Sequence, residues 1–139
     1  MSMAVAEWLL TDEQHTYSSL IEIMSDYYHQ FPDPMGSYGN RFGVWLSTPS
    51  ALRQPYNSFG NGSAMRVSPV AWLFDDYNEV KEEAHKTAAP THNHPEGIKG
   101  AQATAAAMEI FLEEHPKEGK LIIEKIVLAA TARNAARKA

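Results

Sequence analysis

The segment best suited to contact an anion is rich in glycine and asparagine: Tyr56-Asn57-Ser58-Phe59-Gly60-Asn61-Gly62-Ser63-Ala64-Met65-Arg66. Gly60 and Gly62, on either side of Asn61, permit positive backbone dihedral angles and let main-chain N–H groups converge. A helix predicted from about Ser63 adds unpaired N–H donors at its start. Such a segment can hold a phosphate, but many Asn-Gly turns before helices are only turns, and the residues alone leave both interpretations open.

A second polar segment contains two histidines: Thr91-His92-Asn93-His94-Pro95-Glu96-Gly97. His92 and His94 could share a metal ion, and His-Asn-His loosely resembles a nuclease signature. A zinc site normally needs three or four ligands, and no other cluster stands at a spacing that completes one. A nuclease would also need basic residues to hold phosphates, and these are sparse. The alternative is a helix start at which one histidine is the cap and the other is exposed.

A pair of adjacent carboxylates, Asp75 and Asp76, could be read as catalytic. They stand where a helix is predicted to begin, and an aspartate at that position accepts hydrogen bonds from the first main-chain N–H groups. The sequence therefore favours a structural role for this pair.

The elements that position these segments follow a helical period, and no stretch alternates with period two. Helices are predicted over residues 11–31, 41–47, 63–72, 76–88, 95–114 and 119–139. The first starts from a capping box of Thr11 and Gln14 and ends before Pro32. The last ends in three basic residues that complement the helix dipole: Arg133, Arg137 and Lys138. The pattern predicts an all-α fold.

Length and composition bound the class of protein. The 139 residues fit one domain, and 44% apolar and 21% charged residues are typical of a globular protein. The net charge is −5 and the basic residues are scattered, so the sequence predicts no basic surface that would bind nucleic-acid phosphates. No apolar run approaches the roughly 18 residues of a membrane span. The chain has no cysteine, which excludes disulfides and fits a reducing compartment. We expect a cytoplasmic protein with neither a nucleic-acid nor a membrane partner.

Taken together, the two polar segments resemble the central part of bacterial ADP-ribosylglycohydrolases. The similarity lies in two runs, Pro55 to Pro69 and Thr91 to Ala105, and in the separation between them. It spans about residues 2–114, whereas residues 119–139 form a divergent C-terminal helix. The chain is therefore interpreted as a single partial domain, residues 1–139, with the family's helical bundle truncated at both ends.

Together with the helical pattern, the resemblance implies that the 54–62 and 90–96 loops lie on the same side of the bundle. It also implies a function and a binding site. Members of the family are all-helical and use two magnesium ions to hydrolyse the glycosidic bond between ADP-ribose and a modified side chain. By analogy, ADP-ribose or an ADP-ribosylated protein would be the partner. Its phosphates and distal ribose would lie along the first segment and face the histidine of the second, with contacts from Ser58, Phe59, Gly60, Asn61, Gly62, Ser63, Met65 and His92.

The family's metal ligands are missing from this sequence. They lie in a Thr-Asp-Asp-Thr motif, an Asp-x-Asp-Thr motif and an earlier Gly-Asp segment, none of which is present. The stretch Met3 to Glu7 resembles the helix that follows the first motif, and Thr11-Asp12-Glu13 is in the wrong register to replace it. Because magnesium needs several oxygen ligands, we expect neither metal-binding nor catalytic residues in this chain.

Three functional hypotheses remain open. The chain is a fragment of a magnesium-dependent ADP-ribosylglycohydrolase that is inactive by itself, or it is a non-catalytic module that binds ADP-ribose or a nucleotide. The third hypothesis is an interaction protein that pairs with a second chain, or with itself, through uncovered apolar helix faces. A complementing chain that carried the missing acids would make the pair a split enzyme.

Overall fold

The computed structural model describes residues 1–138, apart from the side chains of residues 130, 134, 137 and 138. Over this range the chain forms eight α-helices, one short 3-10 helix and no strand, which confirms the all-α prediction. The helices are α1 (Ser2–Thr11), α2 (Tyr17–Gln30), α3 (Asn40–Ser47), α4 (Gly62–Arg66), α5 (Ser68–Leu73), α6 (Tyr77–Ala88), α7 (Pro95–Glu114) and α8 (Pro116–Lys138). The 3-10 helix, Ser50–Leu52, lies in the long loop between α3 and α4.

Helix α7 is central because its small side chains allow close packing. It lies against α4, α5 and α6, with Ala101 and Ala105 fully buried. Ala84 and Ala88 of α6 are buried as well. Helix α6 begins as predicted, since the Asp76 carboxylate accepts hydrogen bonds from the first N–H groups of the helix, on Asn78 at 2.9 Å and Glu79 at 3.0 Å. Asp76 is therefore an N-cap.

The first helix is buried along most of its length. Helix α1 packs on α2, α5 and α8, with Val5 and Trp8 fully buried. The Trp8 indole N–H donates to the Thr16 carbonyl at 2.9 Å, so this large side chain also satisfies its polar atom. Residues 1–138 contain no helix long and apolar enough to cross a membrane.

The start of the helix predicted over residues 11–31, which is α2 in the structure, was wrong. Thr11 and Gln14 do not form a capping box: Thr11 is the last residue of α1, and its hydroxyl donates to the Glu7 carbonyl at 2.7 Å. The Asp12 carboxylate instead accepts from the main chain of Gln14 and from both the N–H and hydroxyl of Thr16. This local turn competes with the helix. Helix α2 therefore begins at Tyr17, with Thr16 as its N-cap.

The helix predicted over residues 63–72 is divided into two. Helix α4 ends at Arg66, and α5 starts at Ser68 with Pro69 in its first turn. A proline lacks the N–H that a continuous helix would need, and its ring clashes with the carbonyl four residues earlier, here that of Met65. The break lets Arg66 turn inward, where only 3% of its surface is exposed.

The C-terminal helix is attached to the domain through a buried ion pair. Arg133 was expected only to complement the helix dipole, but its Nε donates to the buried Glu7 carboxylate of α1 at 3.0 Å. The expected roles of Arg137 and Lys138 lie outside the side chains that the structure describes. The outer faces of α7 and α8 expose several large apolar side chains, among them Ile110, Phe111, Leu121 and Leu128.

Candidate functional site

The two motif segments meet on one side of the molecule, as the sequence predicts. The Ser58 N–H donates to the Thr91 carbonyl at 3.2 Å, and the Asn57 N–H donates to the Asn93 side-chain oxygen at 2.7 Å. Asn57 adopts a positive φ of 52°, which asparagine tolerates better than most residues. These bonds hold the loop before α4 against the loop before α7.

Two glycines allow close contact where the segments touch. A Cβ on Gly97 would lie 2.5 Å from the Ser58 carbonyl oxygen, and one on Gly62 would lie 3.1 Å from His92 Cε1. Ser63 stabilises the same contact, because its buried hydroxyl donates to the Gly97 carbonyl at 2.8 Å. Any larger residue at position 97 must therefore separate the loops.

The two histidines have different surroundings. His94 is the N-cap of α7, where its Nδ1 accepts from the Glu96 N–H at 3.1 Å. The expectation that the other histidine would be exposed was wrong, because His92 is 4% exposed and its Nδ1 lies 2.7 Å from the Thr91 hydroxyl oxygen. Its ring also lies 6.2 Å from that of Tyr56. The histidines are thus not arranged as a pair of metal ligands.

Beside these loops lies an open cavity of about 1090 Å³. This exceeds the roughly 300–1,000 Å³ of most small-molecule pockets, in keeping with its open side. Its wall includes six of the eight residues expected to contact ADP-ribose: Ser58, Gly60, Asn61, Gly62, Met65 and His92. The other two are placed elsewhere: Phe59 is 72% exposed with its ring 5.6 Å from that of His94, and Ser63 is buried beneath the loop.

The cavity wall carries positive charge. Arg66 is buried and its pKa is lowered to about 10, chiefly by loss of solvation, so it stays charged at neutral pH. Arg41 donates from Nη2 to the Tyr56 carbonyl at 2.8 Å and also lines the cavity. Burial, followed by the charges of these two arginines, lowers the pKa of His92 to about 4. Near neutral pH the imidazole is therefore uncharged.

The residues present do not fit the two-magnesium centre implied by the resemblance. Among the side chains that the structure describes, no group of three or more His, Asp or Glu is arranged to hold a metal ion. Of the described residues that line the cavity, only Asp33 has a carboxylate. Magnesium prefers near-octahedral oxygen coordination that includes one or two carboxylates, so no metal-dependent step can be derived from these residues.

Several cavity residues were not singled out from the sequence. Arg66 and Tyr56 stand at the two ends of the first segment, and Arg41 and Phe42 come from α3. One available signal was the position of the Arg66 cation, directly before Val67 and four residues before Val70. A lone arginine at the inner face of a short helix is a candidate for burial with a functional cause.

The comparisons with known proteins agree with this architecture. The ADP-ribosylglycohydrolase family profile matches residues 1–138. The chain therefore belongs to the ADP-ribosylglycohydrolase family, and the match includes the C-terminal helix α8 as well as the two motif segments. No solved structure matches the chain significantly.

Curated relatives cover the chain to different extents. The chicken (Gallus gallus) protein named ADP-ribosylhydrolase ARH3 is 29% identical over 125 residues, which cover 81% of this chain and 34% of the relative. A Chitinophaga japonensis protein named as a subunit of DNA gyrase is 60% identical over 137 residues, 86% of this chain and 28% of the relative. A Cytophaga hutchinsonii protein with the same name is 55% identical over 101 residues, which cover 64% of this chain and 21% of the relative. The chain thus spans about a third or less of each of these relatives.

Proposed function

We propose that this chain is a ligand-binding part of an ADP-ribosylglycohydrolase and takes ADP-ribose, or the ADP-ribosyl group of a modified protein, into the cavity beside α4. The observation that carries the proposal is the direct contact of the two motif segments. Through the bonds from Asn57 and Ser58 to the second loop, residues far apart in sequence form one wall of one cavity.

The chemistry of that wall suits a ligand rich in phosphate and ribose oxygens. The loop through Gly60 and Gly62 lets main-chain N–H groups approach a ligand closely, since neither residue has a side chain in the way. Helix α4 has only five residues, so its dipole adds little. The larger electrostatic contribution comes from Arg66 and Arg41, which place positive charge along the wall.

The chain by itself is proposed not to hydrolyse the glycosidic bond. Glycosidic cleavage develops positive charge on the sugar and needs an acid and an activated water, which the family obtains with magnesium. The described residues provide no carboxylate cluster for that metal. The alternatives are a purely binding module and a split enzyme in which another polypeptide supplies the missing acids.

A hydrolysis assay tests this proposal. The purified chain with magnesium should release no ADP-ribose from ADP-ribosylated protein above the uncatalysed background. Release would be measured by chromatography of the free nucleotide. Metal-dependent turnover that disappears in Asn61→Ala would contradict the proposal, because it would require metal ligands that the described side chains do not show.

A binding measurement tests the site itself. We expect ADP-ribose to bind with a Kd of about 100 µM or weaker, on the order of −5.5 kcal/mol, because an open cavity leaves part of the ligand in water. Gly62→Val should weaken binding by about tenfold or more, equivalent to about 1.4 kcal/mol, since the new side chain meets His92. His92→Ala should weaken it as well. Calorimetry or ligand-observed NMR would measure both.

The matched control is the same substitution away from the cavity. A Cβ on Gly100 of α7 would meet no atom within 4 Å, so Gly100→Val should leave the Kd unchanged. Equal weakening in both valine variants would point to a general loss of folding and contradict a specific site. A Kd of about 1 µM or tighter would show a complete pocket and favour the binding module over a part of an enzyme.

A further inference from the structure

Arg66, in the cavity wall, is a buried cation without a carboxylate beside it. The Arg66 guanidinium donates from Nε and Nη2 to the Thr87 carbonyl at 3.2 and 2.7 Å. Its Cζ lies 5.7 Å from the centre of the Phe42 ring. The described side chains include no Asp or Glu within ion-pair distance of it. A buried charge is costly unless it is hydrogen-bonded or paired, so the other hydrogen bond of this guanidinium matters.

That other hydrogen bond connects the cation to His92. Arg66 Nη2 also donates to the Thr91 hydroxyl oxygen at 2.7 Å, and the same oxygen lies 2.7 Å from His92 Nδ1. Thr91 is fully buried and His92 nearly so. The three side chains therefore form a continuous chain of hydrogen bonds.

The geometry points to a positioning role for Arg66 and Thr91: they fix His92 as the neutral tautomer with its proton on Nε2, and hold that N–H as a hydrogen-bond donor to the bound ligand. The role toward a ligand rests on the function proposed above, whereas the tautomer is a property of the protein alone. Neither residue needs to touch the ligand.

Electrostatics decides the direction of the hydrogen bonds. Arg66 can only donate, so the Thr91 oxygen accepts from it, and this polarises the hydroxyl to donate in turn. A lone pair on His92 Nδ1 is attracted by the nearby cation, whereas an Nδ1–H group would point its positive end toward it. In the opposite arrangement, the Thr91 hydroxyl would donate to the neighbouring Tyr56 hydroxyl oxygen, and the proton of His92 would lie on Nδ1. The Nδ1–H group would then point its positive end toward the cation, so this arrangement is less favourable.

The second ring nitrogen of His92 faces the loop before α4. His92 Nε2 lies 3.2 Å from the position of a Cβ on Gly62, and His92 lines the cavity. A neutral Nε2–H there selects a ligand atom that can accept a hydrogen bond, such as a phosphate or ribose oxygen. An imidazolium would instead add a positive charge that changes with pH.

The charged groups around His92 keep it neutral over the physiological range. Arg66 of α4 and Arg41 of α3 both oppose protonation, in addition to the effect of burial. The ring of Tyr56 faces it from the loop before α4. The contribution of His92 to ligand binding should therefore stay constant between about pH 5.5 and 8, where an unperturbed histidine with a pKa of about 6.5 would change its charge.

Long-range ¹H–¹⁵N NMR of the ligand-free, ¹⁵N-labelled chain reads the tautomer directly. We expect the Nε2–H pattern for His92 in the unchanged protein. Thr91→Val keeps the branched shape but removes the hydroxyl, and it should yield a mixture of tautomers, whereas Thr91→Ser should restore the Nε2–H form. The matched control is Thr104→Val, which removes an exposed hydroxyl bonded to the Gly100 carbonyl and should leave the His92 signals unchanged.

A second series tests the cation. Arg66→Met should raise the NMR titration midpoint of His92 above its expected value near pH 4, and Arg66→Lys, which keeps the charge, should reverse much of that rise. If the methionine variant does not fold, the threonine series still decides the proposal. An Nδ1–H pattern in the unchanged protein, or an unaltered tautomer in Thr91→Val, would overturn it.

The ligand measurement separates this inference from the proposed function. In a folded Thr91→Val variant, ADP-ribose binding should weaken by about 3- to 10-fold, the effect of one misdirected hydrogen bond. A correct tautomer together with no binding of ADP-ribose to the unchanged protein would refute the proposed ligand and leave the positioning of His92 standing. Binding that is unchanged in Thr91→Val despite an altered tautomer would refute the role toward the ligand.

Discussion

Arg133→Met should lower the free energy of unfolding by about 3–5 kcal/mol, the usual cost of removing one partner from a buried ion pair. Its partner Glu7 is fully buried in the middle of α1, and Arg133 itself is 15% exposed. The guanidinium also stacks on the Tyr27 ring at 3.5 Å and donates to the Gln30 side chain. Without it, the Glu7 carboxylate would keep its contact with Tyr27 but would lose the guanidinium that balances its charge in the interior.

Chemical denaturation followed by circular dichroism would measure the loss. Lys125→Met on the same helix is the matched control: Lys125 is exposed, so its replacement should change the free energy of unfolding by less than about 0.5 kcal/mol. The double variant Glu7→Leu with Arg133→Met should recover most of the loss, because an apolar pair avoids the cost of burying charge. A loss below about 1 kcal/mol for the single variant would show that α8 is not attached in this way.

Local signals were sufficient for the helices around the site. Asp76 and the His94-Pro95 pair mark the starts of α6 and α7, and both helices begin where these residues predict. Ala101 and Ala105 of α7 are buried where this helix packs against its neighbours. These features could be read from sequence because caps and helical periodicity depend on residues within one or two turns.

Competing local signals account for the wrong boundary near the N-terminus. The sequence pattern placed the helix start at Thr11 with Gln14, whereas the observed N-cap is Thr16, whose hydroxyl accepts from the Ser19 N–H. The outcome depends on Asp12, whose carboxylate binds the main chain of residues 14 and 16, and on Trp8, whose indole reaches Thr16. Burial of Trp8 in the core is a tertiary effect, and it decides which threonine is the cap.

The environment of the candidate site was also beyond local reasoning. The hydrogen-bonded surroundings of His92 depend on Arg66, which reaches Thr91 through the packing of α4 against α7. The contact of Glu7 with Arg133 joins residues 126 positions apart. Spacing within one segment carries no information on such contacts. The resemblance supplied the expectation that the two loops act together, and the hydrogen bonds between them supply its physical basis.

Gly97→Ala should lower the free energy of unfolding by about 1–3 kcal/mol, the cost of forcing an atom into a closely packed contact. Both Gly97 and Gly100 lie in α7, where helix propensity alone predicts that alanine stabilises the protein by about 0.5–1 kcal/mol. At Gly97, however, the new Cβ would lie 2.5 Å from the Ser58 carbonyl oxygen and 3.0 Å from His92 Cβ. The Ser58 contact is with main chain, which cannot move aside as the end of a flexible side chain can.

Gly100→Ala supplies the control, since its Cβ would meet nothing within 4 Å and the substitution should stabilise the protein. The two variants are therefore expected to change stability in opposite directions, although the chemical change and the helix are the same. Thermal or chemical unfolding would give both values. Amide chemical shifts of Ser58 and His92 should move in Gly97→Ala alone, because the loop before α4 must separate from the loop before α7. Stabilisation by both substitutions would mean that the loops do not touch in solution, and the shared cavity wall on which the binding proposal depends would be lost with that contact.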